Sequence, residues 1–273
     1  MTMMPKFIYG TAWKEDRTCA LVAAALDAGF REFDTANQRK HYFEAGMGEA
    51  IRAAISSGLV CREELFIQTK FTYQRGQDHR LPYDPAAALA KQVEQSMASS
   101  LEHLHTDYID SYVLHGPVAQ QGIYPEDKEV WRAMESLHEQ KLTRDLGLSN
   151  ISLQQLELFF DFAKVKPKFI QNRCYAATRW DRDIRRFCRK NEIVYQGFSL
   201  LTANQQVLRS GEVVKIANKY GTGVEQVIFR FAQQIGMYPL TGTSNSSNMK
   251  ADLACCQISL TAAEMTFLEN MGA

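Results

Sequence analysis

The chain alternates short apolar runs with longer stretches of helical periodicity along its whole length. Eight runs have strand length, and each is followed by a stretch in which apolar residues recur every three or four positions. This alternation is typical of repeated βα units, whose strands lie parallel in one sheet. The predicted strands are 7–9, 30–33, 65–69, 108–114, 142–148, 169–170, 193–195 and 238–240.

The predicted helices follow the same alternation, and the segment 86–104 has the most regular apolar spacing. The other predicted helices are 18–28, 47–57, 125–140, 152–163, 181–190, 211–219, 223–235, 246–256 and 261–271. At 273 residues the chain is slightly longer than a typical eightfold barrel, and no linker or low-complexity tract divides it. The sequence therefore predicts one α/β domain, 1–273, folded as a (β/α)8 TIM barrel.

Four polar side chains stand at or shortly after the ends of early apolar runs. Asp34, Lys70 and His115 directly close three of these runs, and Tyr42 lies in the loop after the first. A single polar residue at such a place more often marks a strand end that meets solvent, so the hypothesis depends on their joint placement. Because the C-terminal ends of barrel strands converge on one face, we expect the four side chains to meet. Together they could transfer a proton, which predicts a catalytic site.

The charge and cysteine patterns exclude several other functions. Lysine plus arginine and aspartate plus glutamate each total 31, so we expect no nucleic-acid partner and no membrane partner. The six cysteines show no Cys-x-x-Cys pair and no zinc-type spacing with histidine, so no metal site is predicted. We also expect a cytoplasmic protein, because no leader opens the chain and no apolar run approaches about 18 residues.

Short motifs spread over the whole chain follow one another in an order typical of one enzyme family. They are Gly29 to Ala36 with Gly48 to Ile51, Gly10 to Lys14, Thr69-Lys70, Leu114 to Pro117, Leu146 to Asn150, Gln171, Phe198 to Leu201 and Thr241 to Asn245. In this order they resemble the aldo-keto reductases. The resemblance implies a (β/α)8 barrel that reduces small aldehydes or ketones with NADPH bound across its C-terminal mouth. The absence of a Gly-x-Gly-x-x-Gly turn agrees, because such a barrel does not use the Rossmann phosphate loop.

The resemblance also implies a role for each of the four polar residues. Tyr42 would donate the proton, Lys70 would be the cation beside it, and Asp34 would pair with Lys70. His115 would orient the carbonyl through a hydrogen bond. Because a nearby ammonium favours phenolate, we expect the pKa of Tyr42 to fall from about 10 towards neutrality.

The identity of the proton donor depends on a departure from the family pattern. In most members the tyrosine comes earlier after the aspartate, at the place that Arg39 occupies here. The segment from Asn37 to Tyr42 resembles a variant branch in which a His-Tyr pair follows a longer loop. Tyr42 is therefore the predicted acid, with His41 as the main competitor and an inert loop tyrosine as the third interpretation.

The expected cofactor contacts are likewise implied by the resemblance. Phe198 would stack on the nicotinamide of NADPH, with a core aromatic as the alternative interpretation. The implied set is Thr11, Lys14, Asp34, Ser149, Asn150, Gln171, Phe198, Ser199, Leu201, Thr241, Gly242, Thr243, Ser244 and Asn248. Gly242 and Asn248 stand where many members carry residues, one of them an arginine, that meet the 2′-phosphate of NADPH. Because neither residue is charged, NADH is an alternative cofactor.

The substrate pocket is expected to be wide, because the chain lacks the C-terminal loop that usually walls it. It would then accept bulky or aromatic carbonyls, and its candidate lining residues are Trp13, Tyr73, Tyr83, Ile123 and Trp180. The alternative function is a cofactor-binding regulatory subunit with little turnover, which the complete set of four polar residues disfavours. The family habit and the neutral charge balance favour a monomer.

Overall fold

Eight short strands close into one parallel barrel in the computed structural model, which describes residues 7–272. Each strand pairs with its neighbours in sequence, and the first pairs with the last through Ile8 opposite Leu240 and Tyr9 opposite Thr241. The strands are β1 (Ile8–Gly10), β2 (Glu32–Asp34), β3 (Phe66–Phe71), β4 (Ile109–Leu114), β5 (Thr143–Ser149), β6 (Phe169–Arg173), β7 (Val194–Phe198) and β8 (Met237–Thr241). The predicted (β/α)8 barrel is therefore confirmed.

Helices that follow the strands form the outer layer of the barrel. Over residues 7–272 they are α1 (Thr18–Ala28), α2 (Glu44–Ser56), α3 (Leu89–Leu104), α4 (Pro125–Glu139), α5 (Leu153–Phe162), α6 (Arg182–Lys190), α7 (Gln205–Leu208), α8 (Gly211–Tyr220), α9 (Val224–Gln234), α10 (Ser246–Ala254) and α11 (Ala262–Asn270). Helix α7 was not predicted, because a single turn has too few residues to show a period. In this part of the chain no helix is long and apolar enough to cross a membrane.

Strands β6 and β7 run further toward the C-terminal mouth than their apolar residues predicted. Asn172 pairs with Gly197 and Arg173 pairs with Phe198. The Asn172 side chain also accepts from the backbone N–H of Ile151 and donates to its carbonyl oxygen. Hydrogen bonds to a neighbouring loop, rather than apolar burial, therefore stabilise this polar extension.

Close helix packing holds the loop that carries Tyr42. Helix α2 begins at Glu44, two residues after Tyr42, and packs against α3. At Gly48 an added Cβ would lie 1.9 Å from the carbonyl oxygen of His103, so the two helices can approach this closely only at glycine. The buried Glu44 carboxylate accepts from the Thr69 hydroxyl and contacts the His103 ring. The start of α2 is thus tied to β3, next to Lys70.

Candidate active site

A buried ion pair lies at the C-terminal ends of β2 and β3. Lys70 Nζ is 2.6 and 2.7 Å from the two carboxylate oxygens of Asp34, and it also donates to the Thr35 carbonyl oxygen at 2.7 Å. The Lys70 side chain is 0% exposed and that of Asp34 is 4% exposed. These three contacts match the three donor hydrogens of an ammonium, so the buried charge is fully satisfied.

A layer of glutamines beneath this pair fixes the Asp34 carboxylate. Gln68 and Gln171 donate to Asp34 Oδ1 at 2.7 and 2.9 Å. Both also donate to Gln196 Oε1, at 2.8 and 3.0 Å. Sequence reasoning missed Gln68 and Gln196. The signal was available, because Gln68 lies two residues before Lys70 on the same strand and therefore points to the same face.

Tyr42 is the aromatic residue that the structure places beside this pair. Lys70 Nζ lies 5.3 Å from the centre of the Tyr42 ring, and the rings of Tyr42 and His115 lie 6.0 Å apart, edge to face. His41 instead packs its ring on Trp13 with the ring centres 4.0 Å apart. The geometry therefore brings Tyr42 together with Asp34, Lys70 and His115, while His41 stands at the rim of the cavity.

The pKa of Tyr42 moves in the direction opposite to the expectation from sequence. Burial raises the pKa of the phenol above its usual value, and the Asp34 carboxylate raises it further. These two effects outweigh the attraction of the nearby Lys70 ammonium. Burial also lowers the pKa of Lys70, and the Asp34 charge opposes that shift. Tyr42 is consequently a neutral phenol at neutral pH, which is the form that can donate a proton.

His115 is a neutral imidazole held at both its ring and its backbone. Burial, followed by the charges of Lys70 and His41, lowers its pKa to about 3. Its Nδ1 atom lies 2.7 Å from the Thr72 hydroxyl oxygen. The Asn150 side chain donates to the His115 carbonyl oxygen at 2.8 Å. Sequence reasoning missed Thr72, which lies two residues after Lys70 just beyond the end of β3.

A cavity of about 990 Å³ opens directly above these residues. Its volume lies at the upper end of the range for ligand sites, which is about 300–1,000 Å³. Most of the expected cofactor residues line it: Lys14, Asp34, Ser149, Asn150, Gln171, Phe198, Ser199, Leu201, Thr241, Gly242, Thr243 and Asn248. Two do not. Thr11 is fully buried and donates its hydroxyl to the Asp34 carbonyl oxygen, and Ser244 is exposed outside the cavity wall.

The polar atoms near His115 suit the carboxamide of a nicotinamide. Both amide hydrogens of Gln171 are used by Asp34 and Gln196, and Asn150 donates to His115 and to the Ser149 hydroxyl. The Oε1 of Gln171 and the Oδ1 of Asn150 remain as acceptors, and the Ser149 hydroxyl remains as a donor. The carboxamide has one donor group and one acceptor, so this set is complementary to it.

The Lys14 ammonium and the Asp252 carboxyl lie in the cavity wall with Gly242. Lys14 Nζ donates to the Gly242 carbonyl oxygen and would lie 3.6 Å from a Cβ at Gly242. The buried Asp252 carboxyl accepts from Gln226 and Thr241, and burial raises its pKa to about 6. A phosphate group beside Gly242 would therefore meet the Lys14 ammonium.

Three of the expected pocket residues lie elsewhere, whereas Trp13 and Tyr73 line the cavity. Trp180 is fully buried against Phe231, and its ring N–H donates to the Leu268 carbonyl oxygen at 2.8 Å. Tyr83 packs on Phe71, and its hydroxyl donates to the Thr72 carbonyl oxygen. Ile123 packs against the core. These three assignments were wrong because an aromatic or apolar residue in a loop can equally fill the core.

Besides Trp13, two residues of the cavity wall have left-handed backbone conformations. The φ angles are 53° at Asn150 and 57° at Ser199. Each residue directly follows a strand, β5 or β7. A left-handed conformation is costly for a residue with a side chain, and such strain concentrates where structure positions a functional group.

Among residues 7–272 no cluster of three or more potential metal ligands occurs.

The fold and the site together define a barrel enzyme whose polar groups converge at the C-terminal mouth. A sequence model described as "Aldo/keto reductase family" matches residues 6–272. Deoxymugineic acid synthase 1 of Zea mays is 31% identical over 275 residues, which cover 92% of this chain and 82% of the relative. NADPH-dependent codeinone reductase 1-2 of Papaver somniferum is 31% identical over 260 residues, which cover 88% and 76%. The crystal structure of an aldo-keto reductase complexed with NADPH has a TM-score of 0.83 and 24% identity, covering 98% of this chain and 84% of that one. The chain belongs to the aldo/keto reductase family, and it is an oxidoreductase.

Proposed function

We propose that this protein reduces an aldehyde or ketone to an alcohol with NADPH, and that Tyr42 is the general acid. One observation carries the proposal: a neutral phenol stands beside the buried Asp34–Lys70 pair and a neutral His115, at the floor of the cavity. When bound, the nicotinamide would supply a hydride to the carbonyl carbon. The family membership and the NADPH-dependent relative support the choice of reaction.

Each side chain of the site has a separate task in this proposal. Tyr42 holds its proton at neutral pH and transfers it to the carbonyl oxygen as negative charge develops there. The Lys70 ammonium stabilises the phenolate that remains, and Asp34 keeps that ammonium in place. His115 donates a hydrogen bond that orients the carbonyl. A transfer of this kind contributes roughly 10²–10⁴-fold to the rate.

NADPH is the proposed cofactor, with NADH as a weaker substitute. Ser149, Asn150 and Gln171 would hold the carboxamide, and Phe198 would offer a ring face to the nicotinamide. Lys14 would meet the phosphates. Because the wall residues Gly242, Thr243 and Asn248 carry no charge, we expect the discrimination against NADH to be small. We further propose that the protein works as a cytoplasmic monomer, since one chain supplies the whole set and its six cysteines are free.

The proposal is tested by following the oxidation of NADPH and of NADH with a panel of small and bulky aldehydes and ketones. Wild type should oxidise the cofactor steadily and yield the matching alcohol, and bulky aromatic aldehydes should be accepted. The dissociation constant of each cofactor is measured in parallel by the quenching of protein fluorescence. Tight cofactor binding without turnover of any carbonyl would instead support a regulatory subunit.

The matched control for the acid is a tyrosine at the other end of the barrel. Tyr42→Phe should lose at least about 100-fold in kcat, in line with the loss of a general acid. Tyr238, near the start of β8, lies at the opposite end from the cavity, so Tyr238→Phe should keep wild-type turnover. Equal losses in both variants would mean that the effect of Tyr42→Phe is structural.

A further inference from the structure

We propose that Thr72 is a positioning residue that sets the tautomer of His115, so that the proton of the imidazole sits on Nε2 and points into the cavity. The proposal deepens the role given to His115 in the proposed carbonyl reduction and rests on it. It begins from one contact, the 2.7 Å separation between the Thr72 hydroxyl oxygen and His115 Nδ1. A neutral imidazole carries one N–H, so the partner at Nδ1 decides which nitrogen is the donor at the other side.

The direction of this hydrogen bond follows from the partners that each atom has. Thr72 is 6% exposed, and His115 Nδ1 is the one hydrogen-bond partner of its hydroxyl within residues 7–272. If Nδ1 carried the proton, the hydroxyl would accept that proton and its own hydrogen would have no acceptor in the described part of the chain. A buried donor without a partner costs about 1–3 kcal/mol. If the hydroxyl donates to Nδ1, every hydrogen is used and Nε2 carries the N–H.

The surroundings of Thr72 keep its hydroxyl in this place. Its carbonyl oxygen accepts from the Tyr83 hydroxyl at 2.7 Å and from the Gln77 side chain at 3.3 Å. A Cβ at Gly76 would come within 2.7 Å of the Thr72 methyl group, so a side chain there would press on Thr72. Two side chains and a glycine from the loop after β3 thus fix Thr72, which gives Tyr83 a structural task outside the substrate pocket.

The position of His115 makes the tautomer matter for the reaction. His115 lines the cavity next to Tyr42, and within the described chain no group is hydrogen-bonded to its Nε2. Its neutral state leaves a single proton to place, because burial and the Lys70 charge lower its pKa to about 3. With the proton on Nε2 the ring donates to a carbonyl oxygen. With the proton on Nδ1, the Nε2 atom would instead present a lone pair, which repels that oxygen.

The direct test is the tautomer of His115 in the whole protein, read from the nitrogen chemical shifts of ¹⁵N-histidine-labelled samples. Wild type should show Nδ1 without a proton and Nε2 with one. A proton on Nδ1 in wild type would overturn the proposal. This measurement needs no turnover, so it remains decisive even if the protein reduces no carbonyl, an outcome that would refute the proposed function alone.

Variants of Thr72 separate positioning from packing. Thr72→Val keeps the shape but removes the hydroxyl, so the proton on Nε2 should no longer dominate and kcat/KM should fall roughly tenfold, as for loss of one hydrogen bond. Thr72→Ser keeps the hydroxyl and should remain within about twofold of wild type, since that bond is retained. Cofactor affinity should not change in either variant. Thr222→Val, in the loop between α8 and α9, controls for the substitution itself. Loss of activity in Thr72→Ser equal to that in Thr72→Val would contradict the proposal.

Discussion

Replacement of Asp34 by asparagine should destabilise the protein strongly, because it removes the carboxylate that is paired with the buried Lys70 ammonium. The Lys70 side chain is 0% exposed, so water does not solvate its charge in the folded protein. Removing one partner of such a pair costs about 3–5 kcal/mol. At about 2–4 °C per kcal/mol for a chain of this size, the midpoint of thermal unfolding should fall by roughly 6–20 °C. Urea unfolding measured by tryptophan fluorescence gives the unfolding free energy. The slope of that free energy against urea concentration should be the same in the variant as in wild type.

The loss of unfolding free energy in Asp34→Asn should also depend on pH in a defined direction. Burial already holds the pKa of Lys70 below its usual 10.5, and Asp34 opposes that shift. Without Asp34 the pKa of the folded state falls further, so the unfolded state binds more protons between that value and 10.5. The unfolding free energy of the variant therefore rises with pH over this interval. Its deficit relative to wild type should shrink as the pH rises towards the folded-state pKa of Lys70 in wild type, which lies below 10.5.

Two further variants decide whether the unpaired charge is the cause. In Asp34→Asn with Lys70→Met no ammonium remains to be buried, so the double variant should be more stable than Asp34→Asn alone. Asp110 is a matched control, because it is 1% exposed but pairs with Arg62 and Arg144, which are 13% and 38% exposed. Asp110→Asn should lose less unfolding free energy than Asp34→Asn, since water reaches both guanidinium groups. A loss below about 1 kcal/mol in Asp34→Asn, or no recovery in the double variant, would refute the reasoning.

Three other predictions follow from the same structure. At saturating cofactor, kcat for reduction should stay flat between about pH 6.5 and pH 10, because the pKa of Tyr42 is raised and that of His115 is lowered. A bend near neutrality in the pH profile would count against this. Trp180→Ala should cost about 3–5 kcal/mol of stability, because it leaves a cavity at a buried site. Trp13 is 67% exposed, so Trp13→Ala should leave stability unchanged and alter KM for the carbonyl. Equal urea midpoints for the two variants would contradict this contrast. Glu44 raises the pKa of His103 above 6.5, so the stabilisation from this pair should be present below pH 6.5 and lost as the pH rises through the folded-state value. Unfolding curves of wild type and His103→Gln should therefore converge at high pH, and a constant difference would exclude the effect.

The barrel could be predicted from sequence because its signal is local. Alternation of strand and helix periods specifies βα units, and helix α1 begins and ends where its apolar spacing predicted. Polar residues at strand ends then converge by geometry, which brings Asp34, Lys70 and His115 together. Tyr42 lies in a loop, so its place depends on the contacts of α2 rather than on any period.

What sequence could not supply was the competition between neighbouring groups. The expected fall in the pKa of Tyr42 followed from the Lys70 charge and left out the burial of the phenol, which is the largest cause of its rise. Residue type alone placed Trp180 in the pocket, whereas its ring N–H donates to the Leu268 carbonyl oxygen in α11. Thr72 and Gln196 escaped notice because a threonine and a glutamine in or near a strand carry no chemical signature until their partners are known.

The identity of the proton donor is tested most directly by single-turnover reduction in three proteins loaded with NADPH: wild type, Tyr42→Phe and His41→Gln. The Tyr42 ring stands 5.3 Å from Lys70 Nζ, whereas the His41 ring packs on Trp13 at the rim. Tyr42→Phe should bind NADPH as tightly as wild type but lose at least about 100-fold in the rate of the chemical step, while His41→Gln should stay within about tenfold of wild type. A Tyr42→Phe variant that reduces the carbonyl at the wild-type rate, or a His41→Gln variant that carries the larger loss, would contradict the account.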